Sequence, residues 1–327
     1  MMPRAASWLG LALAVASLLL VMLGLSVGSA GWEPLTFAHA PSATIVWDIR
    51  LPRSLGAWLA GALLALAGAV AQGLFRNPLA DPYLLGSASG ASLGVAIFLV
   101  GLAVWPGAVV DWAIRWGMTG AAFVGAVAAV LLTLVLARGV QHTLRLLLAG
   151  VIVGMVLSSL SSIAVFRVPE VMPAMQGFML GTTAFIGWES VQLLALGLVV
   201  AGAVAIALSR SLDALSLGES TAASLGISLL PVRRALVATL AFATGVAVAQ
   251  VGLIAFIGLV APHLVRSAAR PTHRGLLPLS AAAGGVLLLA ADVLARWLVA
   301  PQELPVGALT AVLGGGYLLW LMHRRPW

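Results

Sequence analysis

Ala57-Trp58-Leu59-Ala60-Gly61-Ala62-Leu63-Leu64-Ala65-Leu66-Ala67-Gly68-Ala69-Val70-Ala71 carries no charge on any face. An amphipathic helix on a soluble core would interrupt such a run with polar residues every three or four positions. A membrane β-strand would alternate apolar and polar residues over about ten. This stretch does neither, and Leu193 to Leu208 is built the same way. In lipid the backbone must satisfy its own hydrogen bonds, so spanning segments are helices or closed barrels, and the missing alternation selects helices. The expected fold class is all-α, a polytopic membrane protein.

Composition extends that reading to the whole chain. Of 327 residues 62% are hydrophobic and 8% charged, against roughly a quarter charged in soluble domains. Helices are expected over 7–28, 54–74, 84–104, 116–137, 143–166, 189–208, 232–251, a short one over 256–268, 276–298 and 307–323, about ten in all. Stop signals separate them: Pro78 and Pro82 after the second, Arg138 and Arg145 after the fourth, Pro169 and Pro173 after the fifth. The loops are short, so 1–327 reads as one transmembrane domain. The apolar run from Trp8 to Val27 exceeds the 7 to 15 residues of a signal-peptide core. It is read as a retained first helix, although Val27-Gly28-Ser29-Ala30 resembles a cleavage site.

The basic residues orient the helices. All seventeen are arginine. With the N-terminus inside, Arg4, Arg76, Arg138, Arg145, Arg210, Arg233, Arg234, Arg266, Arg270, Arg274, Arg324 and Arg325 fall on the cytoplasmic side; Arg50, Arg53, Arg115, Arg167 and Arg296 fall outside. Basic loop residues favour the cytoplasm, which selects this threading, with both termini cytoplasmic. The formal charge of +7 is thus spread over short loops, which speaks for topology and against a nucleic-acid partner. Without cysteine there are no disulfides or thiolate metal sites. Without lysine there is no GxxxxGK[ST] loop, so nucleotide hydrolysis powering this protein must sit on another chain. The histidines at 39, 142, 263, 273 and 323 never pair at three or four residues; no catalytic set, cofactor or metal site is expected on this chain.

Several local patterns carry two readings. Ala69-Val70-Ala71-Gln72 recurs as Ala247-Val248-Ala249-Gln250 on helices of opposite direction, as an inverted repeat of two halves would give, or as chance in an Ala-rich and Val-rich chain. Gly86, Gly90 and Gly94, with Gly150 and Gly154, make flat helix faces that suit close packing or a roomy pathway. Ser158, Ser159, Ser161 and Ser162 can bond their own backbone. Arg167 either reaches the headgroups or stands at the mouth of a pore used by an anionic solute. Asp292 and Arg296 sit four apart, the spacing of a helical ion pair.

The polar interruption over about 209–234 contains Leu217-Gly218-Glu219-Ser220-Thr221-Ala222-Ala223-Ser224-Leu225-Gly226. It reads as a short helix with its own start and stop, solvated or docked to a partner.

Arg50-Leu51-Pro52-Arg53, Gln72-Gly73-Leu74-Phe75-Arg76-Asn77-Pro78-Leu79-Ala80-Asp81-Pro82, Leu146-Leu147-Leu148-Ala149-Gly150, the Leu217 to Gly226 segment, Phe256-Ile257-Gly258-Leu259-Val260-Ala261-Pro262-His263 and Glu303-Leu304-Pro305-Val306-Gly307 occur in family order along nearly the whole chain. In these motifs the chain resembles the FecCD family, permease subunits of type II ABC importers for iron-siderophores, haem and cobalamin. The resemblance implies a ten-helix subunit in the bacterial inner membrane and a homodimer with the solute passing along its axis. It also implies two cytoplasmic ATPase subunits, which hold the ATP and Mg, seated on Gly218, Glu219, Ala222, Ala223, Leu225 and Gly226. A periplasmic substrate-binding protein would dock through carboxylates onto Arg50, Arg53 and Arg296. The fifth and tenth helices would line the pathway, with Met155, Ser159, Ser162 and Arg167 near the solute. Many relatives carry a tryptophan where this chain reads Gln176-Gly177-Phe178-Met179-Leu180-Gly181, which leaves the mouth, and hence substrate size, open.

Taken as an anion-facing group, Arg167 favours haem or another iron chelate over cobalamin, the alternative within the family. A stand-alone proton-coupled carrier is the remote alternative, since such carriers usually need a carboxylate near the bilayer midplane. A membrane scaffold without solute flux is a third.

Overall fold

The computed structural model describes residues 4–28, 31–32, 40–104, 111–137 and 143–324. Arg138, Arg325, His39, His142, Ser29 and Ala30, named above, lie outside them. The chain runs α1 (Arg4–Ser26), a two-residue antiparallel pairing of β1 (Val27–Gly28) with β2 (Gly31–Trp32), α2 (Ala40–Ile45), a π-helical turn (Val46–Arg50) and α3 (Leu51–Phe75). Then follow α4 (Ser87–Val104), α5 (Asp111–Leu136), α6 (Thr143–Arg167), a 3-10 turn (Pro169–Val171), α7 (Met172–Leu180), α8 (Trp188–Ala207), α9 (Ser209–Ser216) and α10 (Glu219–Ser224). Last come α11 (Leu229–Val251), α12 (Ile257–Ala269), α13 (His273–Trp297) and α14 (Val306–Arg324). Among the described residues nine helices are long and apolar enough to cross a membrane.

The tenth expected helix, α12, has 13 residues. At 1.5 Å per residue it reaches about 20 Å, short of a hydrocarbon core of about 30 Å. It is wedged into the bundle against α3 and α13. A second difference concerns Pro169 and Pro173. Both were expected to end structure; instead Pro169 opens the 3-10 turn and Pro173 sits in the first turn of α7. A first-turn amide has no helical acceptor to lose, so proline starts a helix as readily as it stops one. The same logic moves the start of α3 ahead of Pro52.

The first-quoted stretch forms the axis of the molecule: α3 is buried along nearly its whole length and packs against α13, α11, α12 and α8. Its neighbour α13 runs antiparallel, since Arg53 meets Asp292, Gly61 meets Gly284 and Gly73 meets His273. The approach is close enough to exclude side chains. A Cβ on Gly68 would stand 1.7 Å from the Gly258 carbonyl oxygen, and one on Gly61 2.3 Å from that of Gly284.

The glycine stripe on α4 is resolved as packing. Gly90 lies on Gly125 and Gly94 on Ala121 of the antiparallel α5, while Gly86 approaches Gly150 and Gly154 of α6. Without a hydrophobic drive between helices in lipid, such backbone proximity supplies the dispersion contacts that hold them together.

The contacts also support the inverted repeat. The succession α3, α4, α5, α6 is matched by α11, α12, α13, α14: α4 packs on α5 and α6 as α12 packs on α13 and α14, and α3 on α13 as α11 on α5. The paired helices α3 and α11 themselves pack together.

Candidate functional site

At the C-terminal end of α13 two arginines and two carboxylates form a buried cluster. Arg53 donates from Nε and from its terminal nitrogen to Asp292 Oδ1 at 3.1 and 3.0 Å and pairs with Glu303 at 2.9 Å. Arg296 pairs with the other oxygen of Asp292 at 2.7 Å and donates to the carbonyls of Gly24 and Val27 at 2.9 and 2.8 Å. Thr183 donates its hydroxyl to Asp292. The charges balance, two against two, as burial demands. Four parts of the chain are thereby tied to α13: the end of α1, the start of α3, the loop after α7 and the loop before α14.

This corrects the docking expectation for two residues. Arg53 is 8% exposed and Arg296 2%, so neither guanidinium stands ready for a partner's carboxylate. Arg50 is half-buried at the rim and donates to the Leu25 carbonyl at 3.0 Å. Glu303, on the 299–305 loop, is the cluster's accessible member, with 26% of its side chain exposed. The helical pair Asp292–Arg296 is present as expected. Arg53 and Thr183, distant in sequence, carried no signal that they share it.

On α6 the four serines divide. Ser158 donates to Ser89 Oγ at 3.1 Å and Ser161 to the Ser92 carbonyl at 3.4 Å, across to α4. Ser159 and Ser162 bond back to the carbonyls of Met155 and Ser158. Met155, Ser159 and Ser162 lie on the adjoining, exposed face, which continues through Phe166 to Arg167 at the helix end. α14 has an exposed face of its own, with Val312, Leu313 and Leu319.

At the other end of the molecule the predicted short helix exists. Gly218 at φ 114° and Gly226 at φ 80° bracket α10, a conformation that favours glycine. Ala222 is fully buried and anchors α10, so it faces the protein itself and not a partner. Ala223, Leu225 and Leu217 face outward, the two leucines 62% and 66% exposed. Glu219 turns inward to Arg233 of α11 and to Arg76, 3.4 Å away at the end of α3. α9 is fastened likewise: Asp213 accepts the backbone amide of His273 at 3.0 Å and meets its Nδ1 at 2.7 Å. Both helices of the segment thus hold the ends of long central helices.

Beside them opens a cleft of ≈ 270 Å³ whose walls include Gln72, Arg76, Asn77, Ser216, Arg266 and His273. These residues are scattered along the sequence, and the one hint in it is Arg266, the single charge in the short helix α12.

The turn that follows α3 explains the Arg76 to Pro82 motif. Arg76 closes α3 at φ 50°, Asn77 accepts the amide of Leu79 at 2.9 Å, and Asp81 accepts that of Tyr83 at 2.7 Å. The Tyr83 hydroxyl then donates to the Ile254 carbonyl at 3.1 Å. Burial pushes the Asp81 carboxyl up to about 6, and raises the Tyr83 phenol as well.

An all-helical membrane body, with a solvated short helix pair gripping its central helices at one end, is the build of a transport permease. The FecCD transport family model matches residues 12–324. The Vitamin B12 import system permease protein BtuC of Citrobacter koseri is 39% identical over 98% of this chain and 95% of its own length. Its namesake from Salmonella typhimurium is 40% identical over 98% and 96%. A metal-chelate type ABC transporter solved in an inward-facing conformation superposes with a TM-score of 0.86 at 26% identity, covering 96% of this chain and 98% of that one. A chain of the PsaBC complex of Streptococcus pneumoniae, at 16% identity and TM-score 0.52 over 82% and 90%, shares the fold alone. The chain is therefore an ABC importer permease and belongs to the FecCD transport family.

Proposed function

We propose that this permease imports cobalamin, driven by ATP binding and hydrolysis on a separate subunit. The observation that carries the substrate is the agreement of near full-length relatives named as vitamin B12 permeases. It favours cobalamin, the alternative, over haem or a siderophore. The case for those two rested on Arg167, and Arg167 is exposed at the end of α6, where water or headgroups serve it without an anionic solute.

In this reading two copies form the transporter, the exposed face of α6 with Met155, Ser159 and Ser162 meets the solute along the shared axis, and the termini are cytoplasmic in a bacterial inner membrane. Ala223, Leu225 and Leu217 receive the ATPase. Glu219 and Asp213 pass its movement to α3, α11 and α13. A nucleotide state shifts the permease only by its differential contact with this segment. The binding protein docks at the outer rim, where Arg50 is the retained contact; long-range charge there steers encounter. A proton-coupled carrier is disfavoured by Asp292, which is held by two arginines and a threonine.

Whole-cell uptake tests the substrate. Deleting the gene abolishes accumulation of labelled cobalamin, and restoring it recovers uptake while haem uptake stays unchanged. Loss of haem or siderophore uptake with cobalamin accumulation intact would refute the assignment.

A further inference from the structure

The walls of the cleft beside α9 and α10 hold two arginines and a histidine and, among the described residues, no carboxylate. Glu219 is shared by Arg76 and Arg233, and Asp213 is taken by His273. Arg266 is left with Gln72 Oε1 as its acceptor and, among the described residues, has no carboxylate within ion-pair distance. It is only half exposed. A guanidinium withdrawn from water without a counter-charge is costly, and nearby anions relieve that cost.

A second group points the same way. His273 is 9% exposed, its Nδ1 is committed to Asp213, and its Nε2 lies against Gly73 without a partner. An anion in the cleft would favour a proton on that ring, turning Nε2 into a donor. The side-chain amide of Asn77 stands on the same walls, as does Ser216, whose hydroxyl donates to the Asp213 carbonyl at 2.6 Å.

We propose that this cleft is a binding site for a phosphate-class oxyanion, held by Arg266 and Arg76 with the side-chain amide of Asn77 as a neutral partner. A phosphate presents more acceptor oxygens than a carboxylate, enough to accept from two guanidiniums and a neutral amide at once. The phosphate can come from solution or from the headgroup of an anionic lipid, for which basic pockets between membrane helices are known hosts. Either way the anion would bridge α12 and α3 beside the Glu219 contact, and so stiffen the joint between the short helix pair and the central helices.

The test uses the purified full-length chain in detergent. Inorganic phosphate is titrated at constant ionic strength, with chloride as the control, and the thermal midpoint is followed, since a ligand of the folded state raises it. In parallel, native mass spectrometry counts phosphatidylglycerol retained after delipidation. The wild type is expected to show a saturable response to phosphate or retained lipid. Arg266→Gln should weaken it at least about tenfold, the worth of one charge-assisted hydrogen bond. Arg234→Gln, an exposed cation of α11 outside the cleft, should leave it unchanged. Midpoints in chloride alone establish that both variants fold. A phosphate response assigns the free anion, and lipid retention without it assigns the headgroup. The site is overturned if neither ligand binds, or if Arg234→Gln weakens binding as much as Arg266→Gln.

Discussion

Asp292 receives Arg53, Arg296 and Thr183 at once in a site with no exposure. Replacing it by alanine leaves two guanidiniums buried with Glu303 as their only carboxylate, and such a loss costs about 3–5 kcal/mol. Asp292→Ala should therefore lower the thermal midpoint steeply, while Arg50→Ala leaves it nearly unchanged and weakens capture of the binding protein, read by surface plasmon resonance. Asp81 behaves in the opposite sense. Burial raises its folded-state carboxyl to about 6 from an ordinary 3.8, so burial favours the protonated form. Its stabilising effect is complete below about 4 and disappears as pH rises through 6, a difference on the order of 2–3 kcal/mol. Asp81→Asn keeps an acceptor for Tyr83 without the charge, so its midpoint should match the wild type at pH 4 and exceed it at pH 7.5. At this scale the sequence was readable where partners are near neighbours. Spacing announced Asp292 with Arg296; nothing announced Arg53, 239 residues from Asp292.

Helices owe their positions here to backbone contact as much as to side-chain packing. Gly68→Ala forces a methyl into the Gly258 carbonyl, whereas a Cβ on Gly202 meets nothing within 4 Å. Gly68→Ala should lose most folded protein by size-exclusion chromatography, and Gly202→Ala should be silent. The short helix α10 makes a different prediction. α10 is held inward by Ala222 and Glu219 while Leu217 and Leu225 face out. Glu219→Ala should let the ATPase bind yet reduce transport per ATP hydrolysed, because the grip on Arg76 and Arg233 is lost. Long apolar helices, and the short one between two glycines, were legible in composition and stop signals. The start of α7 was not, because Pro173 has the same sequence signature at the first turn of a helix as after the last.

The whole molecule joins two ends through one axis. α3 and α13 run antiparallel from the Asp292 cluster to the pair Asp213–His273, so the α9 and α10 segment and the Asp292 cluster are attached to opposite ends of the same two helices. Hydropathy and arginine placement disclosed the helical membrane body, and its motifs the family. The substrate was not legible, because it had been argued from one cation whose surroundings only the fold reveals. The most direct test of the account is uptake into proteoliposomes containing this permease, its ATPase and its binding protein. Labelled cobalamin should accumulate only when ATP and the ATPase are present, and a proton gradient alone should move none. Accumulation by the permease alone under a proton gradient, or ATP-driven uptake of a siderophore with cobalamin excluded, would contradict it.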